Sequence, residues 1–99
     1  MIKRIVKIEL LADKIEEMQA IFRETKHLIL AQEGCLQVEL LRCTAPDNIF
    51  FTFSIWESEE ALDAYRRSAL FGQVWPRTKA LFAQPAEAWS TQLDDSPWQ

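Results

Sequence analysis

Residues 49–56 constrain the fold most strongly, because they form a predicted strand with bulky side chains on both faces. Side chains alternate between the two faces of a strand. The faces carry different residues: Phe51, Phe53 and Ile55 on one, and Phe50, Thr52, Ser54 and Trp56 on the other. Apolar groups on both faces need cover on both sides, which a chain of 99 residues can hardly provide alone. We therefore predict that a second copy of the chain supplies one covering layer.

The composition is typical of a folded, acidic protein. Hydrophobic residues make up 48% and charged residues 26% of the chain, well outside the disordered range. Eleven Lys and Arg against fifteen Asp and Glu give a net charge of -4, which repels phosphate backbones. We expect no nucleic-acid partner.

Membrane association is not expected either. The first seven residues, Met-Ile-Lys-Arg-Ile-Val-Lys, lack the apolar core of a signal peptide. No uninterrupted apolar run approaches the ~20 residues that a membrane-spanning helix requires. These observations predict a cytoplasmic protein with no membrane partner.

The two cysteines are predicted to lie at opposite ends of one strand, at Cys35 and Cys43. Eight residues at about 3.3 Å each separate them by roughly 26 Å, whereas a disulfide needs Cα atoms within ~7 Å. No intrachain disulfide is expected. Two cysteines and one histidine at this spacing do not match a common zinc site, so we predict no metal.

Hydrophobic periodicity predicts a strand and then a helix in the first third of the chain. Residues 2–10 alternate between apolar and charged side chains, which indicates a strand. Asp13 is predicted to cap a helix whose apolar positions recur at threes and fours. These positions are Ile15, Met18, Ile21, Phe22, Thr25, Leu28 and Ile29. Gly34 ends this segment, because glycine tolerates the left-handed conformation found after helices.

A hairpin is predicted in the middle of the chain. Residues 35–43 alternate again, with Leu36, Val38 and Leu40 on one face of the predicted strand. Residues 45–48, Ala-Pro-Asp-Asn, supply the turn that leads into the aromatic strand.

One helix and a last strand are predicted after the hairpin. Ser58 caps a helix with acidic residues in its first turn. The ring of Pro76 is incompatible with a continuous helix, so this helix is predicted to kink or restart near Trp75 and to end before Pro85. Residues 86–92 form the last predicted strand.

The length allows one hydrophobic core. Residues 1–93 are therefore predicted to form a single domain, and residues 94–99 a C-terminal tail. We expect the tail to become ordered only when a partner receives Trp98.

The predicted order β-α-β-β-α-β is the split unit of the α+β ferredoxin-like fold. That fold packs its helices on one face of a four-stranded antiparallel sheet. The opposite face, with Phe51, Phe53 and Ile55, is then bare, and a bare aromatic face is an expected oligomer interface. We predict a homodimer through this face, with the character of a dimeric α+β barrel.

Residue types used in many enzyme mechanisms are scarce. The only histidine, His27, falls opposite the apolar stripe of its helix and is expected to be exposed. Schemes that need a central histidine are thereby disfavoured. Gly34 and Gly72 are the only glycines, so nucleotide or flavin sites built on Gly-rich turns are not expected.

The remaining candidates are aromatic and polar. Three of them share the helix-facing side of the aromatic strand: Thr52, Ser54 and Trp56. Tyr65 lies on the helix above, and Trp75 at the predicted kink. For the two tryptophans, core packing alone is an alternative role, and for Tyr65 the alternative is a hydroxyl that reaches solvent. Their neighbours Arg66 and Arg67 are interpreted as a solvated helix face.

Three segments together resemble the antibiotic biosynthesis monooxygenase family. They are residues 32–35 (Gln-Glu-Gly-Cys), 56–62 (Trp-Glu-Ser-Glu-Glu-Ala-Leu) and 68–71 (Ser-Ala-Leu-Phe), and the resemblance covers residues 3–92. It implies a ferredoxin-like homodimer. For members of known activity, it also implies oxygenation of phenolic or polyketide-like substrates without flavin, haem or metal, in a pocket between helices and sheet.

The chain also departs from the pattern of this family. Members acting on tricyclic anthrone-like substrates carry an Asn where this chain has Thr52, and many others carry a His at the position of Tyr65. Haem-degrading relatives use a Trp at this second position, a His where this chain has Trp75, and an Asn on the first strand. Haem degradation is therefore disfavoured. Only Trp56 carries over residue for residue.

The resemblance implies roles for the candidate residues. An acidic quinol or anthrone would lose a proton and pass an electron directly to dioxygen, so that no cofactor is needed. Trp56 and Tyr65 are the predicted catalytic residues. Thr52, Ser54 and Trp75 are the predicted substrate-binding residues.

Three hypotheses remain open for the function. The first is a cofactor-independent monooxygenase acting on a small aromatic, quinol or polyketide-like substrate. The second is a non-catalytic dimer that binds a small apolar or aromatic ligand, and the third is an isomerase on the same fold that converts a lactone.

Overall fold

A computed structural model describes residues 1–96 of the chain. The elements follow the order β1 (Ile2–Glu9), α1 (Ile15–Leu30), β2 (Cys35–Arg42), β3 (Ile49–Trp56), α2 (Glu59–Arg66), α3 (Ala69–Lys79) and β4 (Glu87–Thr91). Among these residues, no helix is long and apolar enough to cross a membrane. The division into a domain of residues 1–93 and a tail of residues 94–99 stays a prediction, and the expectation for Trp98 lies outside the described residues.

The strands form one antiparallel sheet with the order β2-β3-β1-β4. Strand β1 pairs with β3 along its whole length, from Ile2 opposite Trp56 to Glu9 opposite Ile49. The predicted α+β fold with a four-stranded antiparallel sheet is therefore confirmed. The hairpin between β2 and β3 is also confirmed, with its turn at residues 43–48.

The core lies between the helices and one face of the sheet. Its buried residues form two clusters: Ile8, Leu10, Met18, Ile21, Phe50 and Leu81 in one, and Ile2, Ile29, Val38, Trp56 and Leu62 in the other. Each cluster joins helix residues to strand residues of the same face. As predicted from the alternation of β3, Phe50 and Trp56 are among the most buried side chains, each 1% exposed.

A β-bulge changes the predicted register at the start of β2. Cys35 pairs with Trp56 and Gln37 pairs with Ile55, so Leu36 is the extra residue and is 45% exposed. The bulge turns Cys35 to the core side, where it packs on the second cluster. The prediction that Leu36 shares the inward face of Val38 is wrong for this reason. Both cysteines are free thiols, as expected.

The start of α1 differs from the prediction, whereas the turn after it agrees. Asp13 does not cap the helix; Lys14 occupies the N-cap position without a side-chain cap hydrogen bond. The exposed position of His27 is confirmed. Gly34 lies in the turn before β2 with a φ of +82°, in the left-handed region that glycine tolerates.

The single kinked helix predicted after β3 is instead two helices. Ser58 caps α2 by accepting a hydrogen bond from the amide of Ala61, as predicted. The chain then breaks at Arg67, and Ser68 caps α3 by accepting from the amide of Phe71. The predicted restart near Trp75 is wrong: the new helix begins after the Ser68 cap, and α3 is continuous from Ala69 to Lys79 with Pro76 inside it.

Candidate functional site

A cavity of about 300 Å³ lies between the sheet and the helices. It brings together all five candidate residues: Thr52, Ser54, Trp56, Tyr65 and Trp75. The first three come from the inward face of β3, and the other two come from α2 and α3. This volume is at the lower end for small-molecule sites. The cavity is therefore suited to a small ligand.

A continuous row of five aromatic rings runs along the cavity, and four of them, all except Phe82, line it. Trp56 and Tyr65 are stacked with ring centroids 5.0 Å apart, and Tyr65 meets Phe71 edge to face at 5.3 Å. Phe71 is stacked on Trp75 at 5.7 Å, and Trp75 meets Phe82 edge to face at 5.6 Å. These are favourable geometries for aromatic pairs. The four lining rings give the cavity an aromatic, apolar boundary.

Trp56 is held in place by its neighbour on β3. Its indole Nε1–H donates a hydrogen bond to Ser54 Oγ at 2.9 Å. The serine oxygen thereby accepts from Trp56, while its own hydroxyl hydrogen can still be donated. Trp56 is thus both a core residue of the second cluster and a wall of the cavity.

Tyr65 is positioned as a hydrogen-bond donor rather than a base. Burial, and secondarily the charge of Cys35, raises the pKa of Tyr65 from 10.0 to about 12, so the phenol is neutral near pH 7. Within residues 1–96 its hydroxyl has no hydrogen-bond partner, and no fully buried side-chain polar atom is left unsatisfied. The hydroxyl therefore reaches open space and is available to a ligand.

Alkaline titration should reveal the raised pKa of Tyr65 directly, because it is the only tyrosine in the chain. We expect the ultraviolet absorbance of tyrosinate to appear with a midpoint near pH 12 in the folded protein, against 10.0 for an ordinary tyrosine. In the unfolded chain the phenol of Tyr65 ionises first, near pH 10. The neutral phenol therefore stabilises the folded state fully below pH 10, and this stabilisation is lost as the pH rises towards 12. A midpoint near 10 with intact circular dichroism would contradict the buried environment.

Three further residues that matter for the site line the cavity but were not among the candidates from the sequence: Arg4, Arg66 and Phe71. Arg4 lies on the inward face of β1 between Ile2 and Val6. A charged residue at a position that alternation assigns to the apolar face was the sequence feature that could have indicated its role. Arg66 is exposed, which agrees with its predicted place on a solvated helix face. It also lines the cavity. Among residues 1–96, no group of three His, Cys, Asp or Glu side chains is arranged to hold a metal ion.

Comparison with known families identifies the chain. The model of the antibiotic biosynthesis monooxygenase family matches residues 1–75, which include all five candidate residues. The chain belongs to the antibiotic biosynthesis monooxygenase family. The family resemblance that the sequence motifs predict is thus confirmed.

Solved structures share the same fold as this family member. A conserved protein from Methanosarcina mazei superposes with a TM-score of 0.89 at 19% identity, covering 94% of this chain and 92% of that chain. A protein from Nitrosomonas europaea, provisionally named as an antibiotic biosynthesis monooxygenase, superposes with a TM-score of 0.86 at 15% identity, covering 93% and 97% of the two chains. At these identities the likeness concerns the fold.

A sequence relative comes from Synechocystis sp., where it is an uncharacterized protein. It is 28% identical over 80 residues, which cover 81% of this chain. The matched region spans 54% of that protein, so the chain spans about half the length of this curated relative.

Proposed function

We propose that this family member is a cofactor-independent monooxygenase that oxygenates a small aromatic, quinol or polyketide-like substrate with dioxygen. The observation that carries the proposal is the cavity lined by aromatic rings, including Tyr65, whose neutral hydroxyl has no hydrogen-bond partner within residues 1–96. Membership of the monooxygenase family supports the same activity.

The proposed reaction needs only substrate and dioxygen. The substrate loses a proton, and the resulting anion passes one electron to dioxygen, which gives a substrate radical and superoxide. The two combine to form a carbon–oxygen bond, and the resulting peroxide anion takes up the proton released in the first step. The hydroperoxide then eliminates water to leave a carbonyl group. One oxygen atom enters the product and the other leaves as water, so a CH₂ group becomes C=O.

The cavity residues favour the anion that starts this reaction. Tyr65 donates a hydrogen bond to the substrate oxygen on which negative charge develops. Ser54 and Thr52 offer hydroxyl groups from the sheet, and Trp56 and Trp75 hold the ring and exclude water.

Loss of the substrate proton requires an acceptor that the cavity lining does not supply. Of the described residues, those that line the cavity include no histidine and no carboxylate. An acidic quinol or anthrone whose proton passes to water fits such a cavity, because its own acidity replaces a strong protein base.

The lack of a protein base also favours the second candidate function, a non-catalytic dimer that binds a small aromatic ligand. This candidate uses the same cavity and the same aromatic row. It predicts ligand binding with oxygen consumption at the background rate, which the following experiment separates from turnover.

An oxygen electrode with a panel of hydroquinones and anthrones tests the proposal. We expect oxygen uptake with at least one compound, and a loss of about a hundredfold in kcat for Tyr65→Phe, because one donor to the developing anion is removed. His27→Gln is the control and should retain its turnover, since His27 is exposed on α1. Ligand binding without oxygen uptake by any compound would favour the binding protein.

We further propose that the protein acts as a homodimer through the outer face of the sheet. Strand registers place seven apolar side chains on this face: Ile5, Leu41, Ile49, Phe51, Phe53, Ile55 and Trp89. Leu41 is 47% and Trp89 46% exposed in the single chain, and Phe53 lies between Glu39 and Ile5 near the centre. A contiguous apolar face of this kind supports association with an identical face.

A further inference from the structure

The cavity has a charged end made by two arginines from different elements. Arg4 comes from the inward face of β1, where it lies opposite Ser54 on β3 and Ser90 on β4. Its Nη1 donates a hydrogen bond to Ser90 Oγ at 3.0 Å, which fixes the guanidinium against the sheet. Arg66 is the residue after Tyr65 and lines the same cavity from α2.

The positive charges of Arg4 and Arg66 act on each other, and both residues line the same cavity. The pKa of Arg4 is lowered, mainly by burial and secondly by the charge of Arg66, and Asp63 offsets this in part. Arg4 remains cationic near pH 7, because guanidinium groups keep their proton in proteins. The cavity therefore contains two neighbouring positive charges.

No negative side chain within the cavity neutralises these charges. The lining has no carboxylate among the described residues, and within residues 1–96 neither Arg4 nor Arg66 forms an ion pair. Asp63 acts on Arg4 from outside the cavity, but it does not line the cavity and forms no ion pair with either arginine within residues 1–96. The donors of both guanidinium groups are therefore available to an anionic group of a ligand in the cavity.

We propose that the cavity binds a planar aromatic ligand that carries a carboxylate, held by Arg4 and Arg66 while the ring packs on the aromatic row. This proposal names the substrate class of the proposed function, and for catalysis it rests on that function. Guanidinium groups present donors in a fork that matches the two oxygens of a carboxylate. Trp56, Tyr65 and Phe71 of the aromatic row line the same cavity as the two arginines, so one molecule can contact both parts.

Binding of a matched pair of probes tests this proposal without turnover. We would measure the dissociation constants of 2-naphthoate and of neutral 2-naphthalenemethanol by anaerobic calorimetry at pH 7. The wild-type protein should bind 2-naphthoate at least tenfold more tightly. Arg4→Gln and Arg66→Gln should each weaken 2-naphthoate binding about tenfold and leave binding of the alcohol unchanged, since a charge-assisted hydrogen bond is lost.

Arg67→Gln is the matched control, because Arg67 follows Arg66 but does not line the cavity. It should bind both probes like the wild type. Equal affinity of the wild type for the two probes would overturn the proposal. An equal loss of both probes in a folded Arg66→Gln, or the same loss in Arg67→Gln, would also overturn it.

The binding experiment and the oxygen-uptake experiment can fail independently of each other. A preference for 2-naphthoate without oxygen consumption by any quinol would retain the carboxylate site and reject the monooxygenase. Oxygen consumption without that preference would retain the monooxygenase and reject the carboxylate site.

Discussion

Replacing Gly34 with alanine is expected to lower the free energy of unfolding by about 3 kcal/mol, from a left-handed backbone penalty together with overpacking. The residue has a φ of +82°, and an added Cβ would lie 2.5 Å from Ala61 Cβ. Ala61 belongs to the first turn of α2 and has no rotatable side chain that moves away. The carbonyl of Gly34 also accepts a hydrogen bond from the Glu57 amide at 2.8 Å, so the turn cannot shift freely.

The other glycine provides the matched control for this variant. Gly72 lies inside α3, and no atom is within 4 Å of a Cβ added there. Gly72→Ala should therefore raise the free energy of unfolding by about 0.5–1 kcal/mol, because alanine loses less backbone entropy. Urea unfolding followed by circular dichroism, at one protein concentration, measures both variants. Equal stability of the two variants would refute the close approach at Gly34.

Phe53→Glu is expected to convert the proposed homodimer to a monomer. Phe53 lies near the centre of the outer sheet face, opposite Glu39 on β2 and Ile5 on β1. A glutamate there would be buried without a partner and would face the acidic Glu39. In a two-fold dimer the change occurs twice, so we expect the dissociation constant to rise by about a thousandfold or more. Size-exclusion chromatography with light scattering measures the mass.

Leu28→Glu is the control for this dimer test. Leu28 is 42% exposed and lies on α1, away from the outer face of the sheet. This variant should keep the mass of the wild type. A wild-type protein that is monomeric at micromolar concentration, or a Phe53→Glu variant that stays dimeric, would contradict the proposed interface.

The strands were predictable because their side chains alternate between two faces with a period of two residues, whereas apolar residues of a helix recur every three or four residues. In β3, alternation alone separates buried Phe50 and Trp56 from Phe51 and Phe53, and the structure keeps this separation. The order of elements follows from these periods, and with it the ferredoxin-like fold.

Features that depend on a single local contact were harder to predict. The break between α2 and α3 depends on Ser68, whose Oγ accepts from the Phe71 amide, but Pro76 is the more conspicuous signal in the sequence. The bulge that turns Cys35 towards Trp56 depends on one extra residue, Leu36, in the pairing of β2 with β3. A strictly alternating pattern cannot reveal such an insertion.

The candidate site was predicted in its aromatic part and missed in its charged part. Trp56, Tyr65 and Trp75 meet in the cavity because large apolar side chains on facing elements pack together. Arg4 was overlooked because the surrounding strand reads as an ordinary core strand. Arg66 was overlooked because an arginine beside another arginine on a helix usually faces water.

The alternation of β3 has a consequence for how this protein tolerates change. The same eight residues, Ile49–Trp56, contribute Thr52, Ser54 and Trp56 to the cavity and Phe51, Phe53 and Ile55 to the opposite face. Deleting one residue within this stretch would exchange the two sets from that point onward, since their orientation depends only on odd or even position. Ligand selectivity and the proposed subunit pairing would fail together. Engineering of either property is therefore restricted, in this stretch, to replacements that preserve its length.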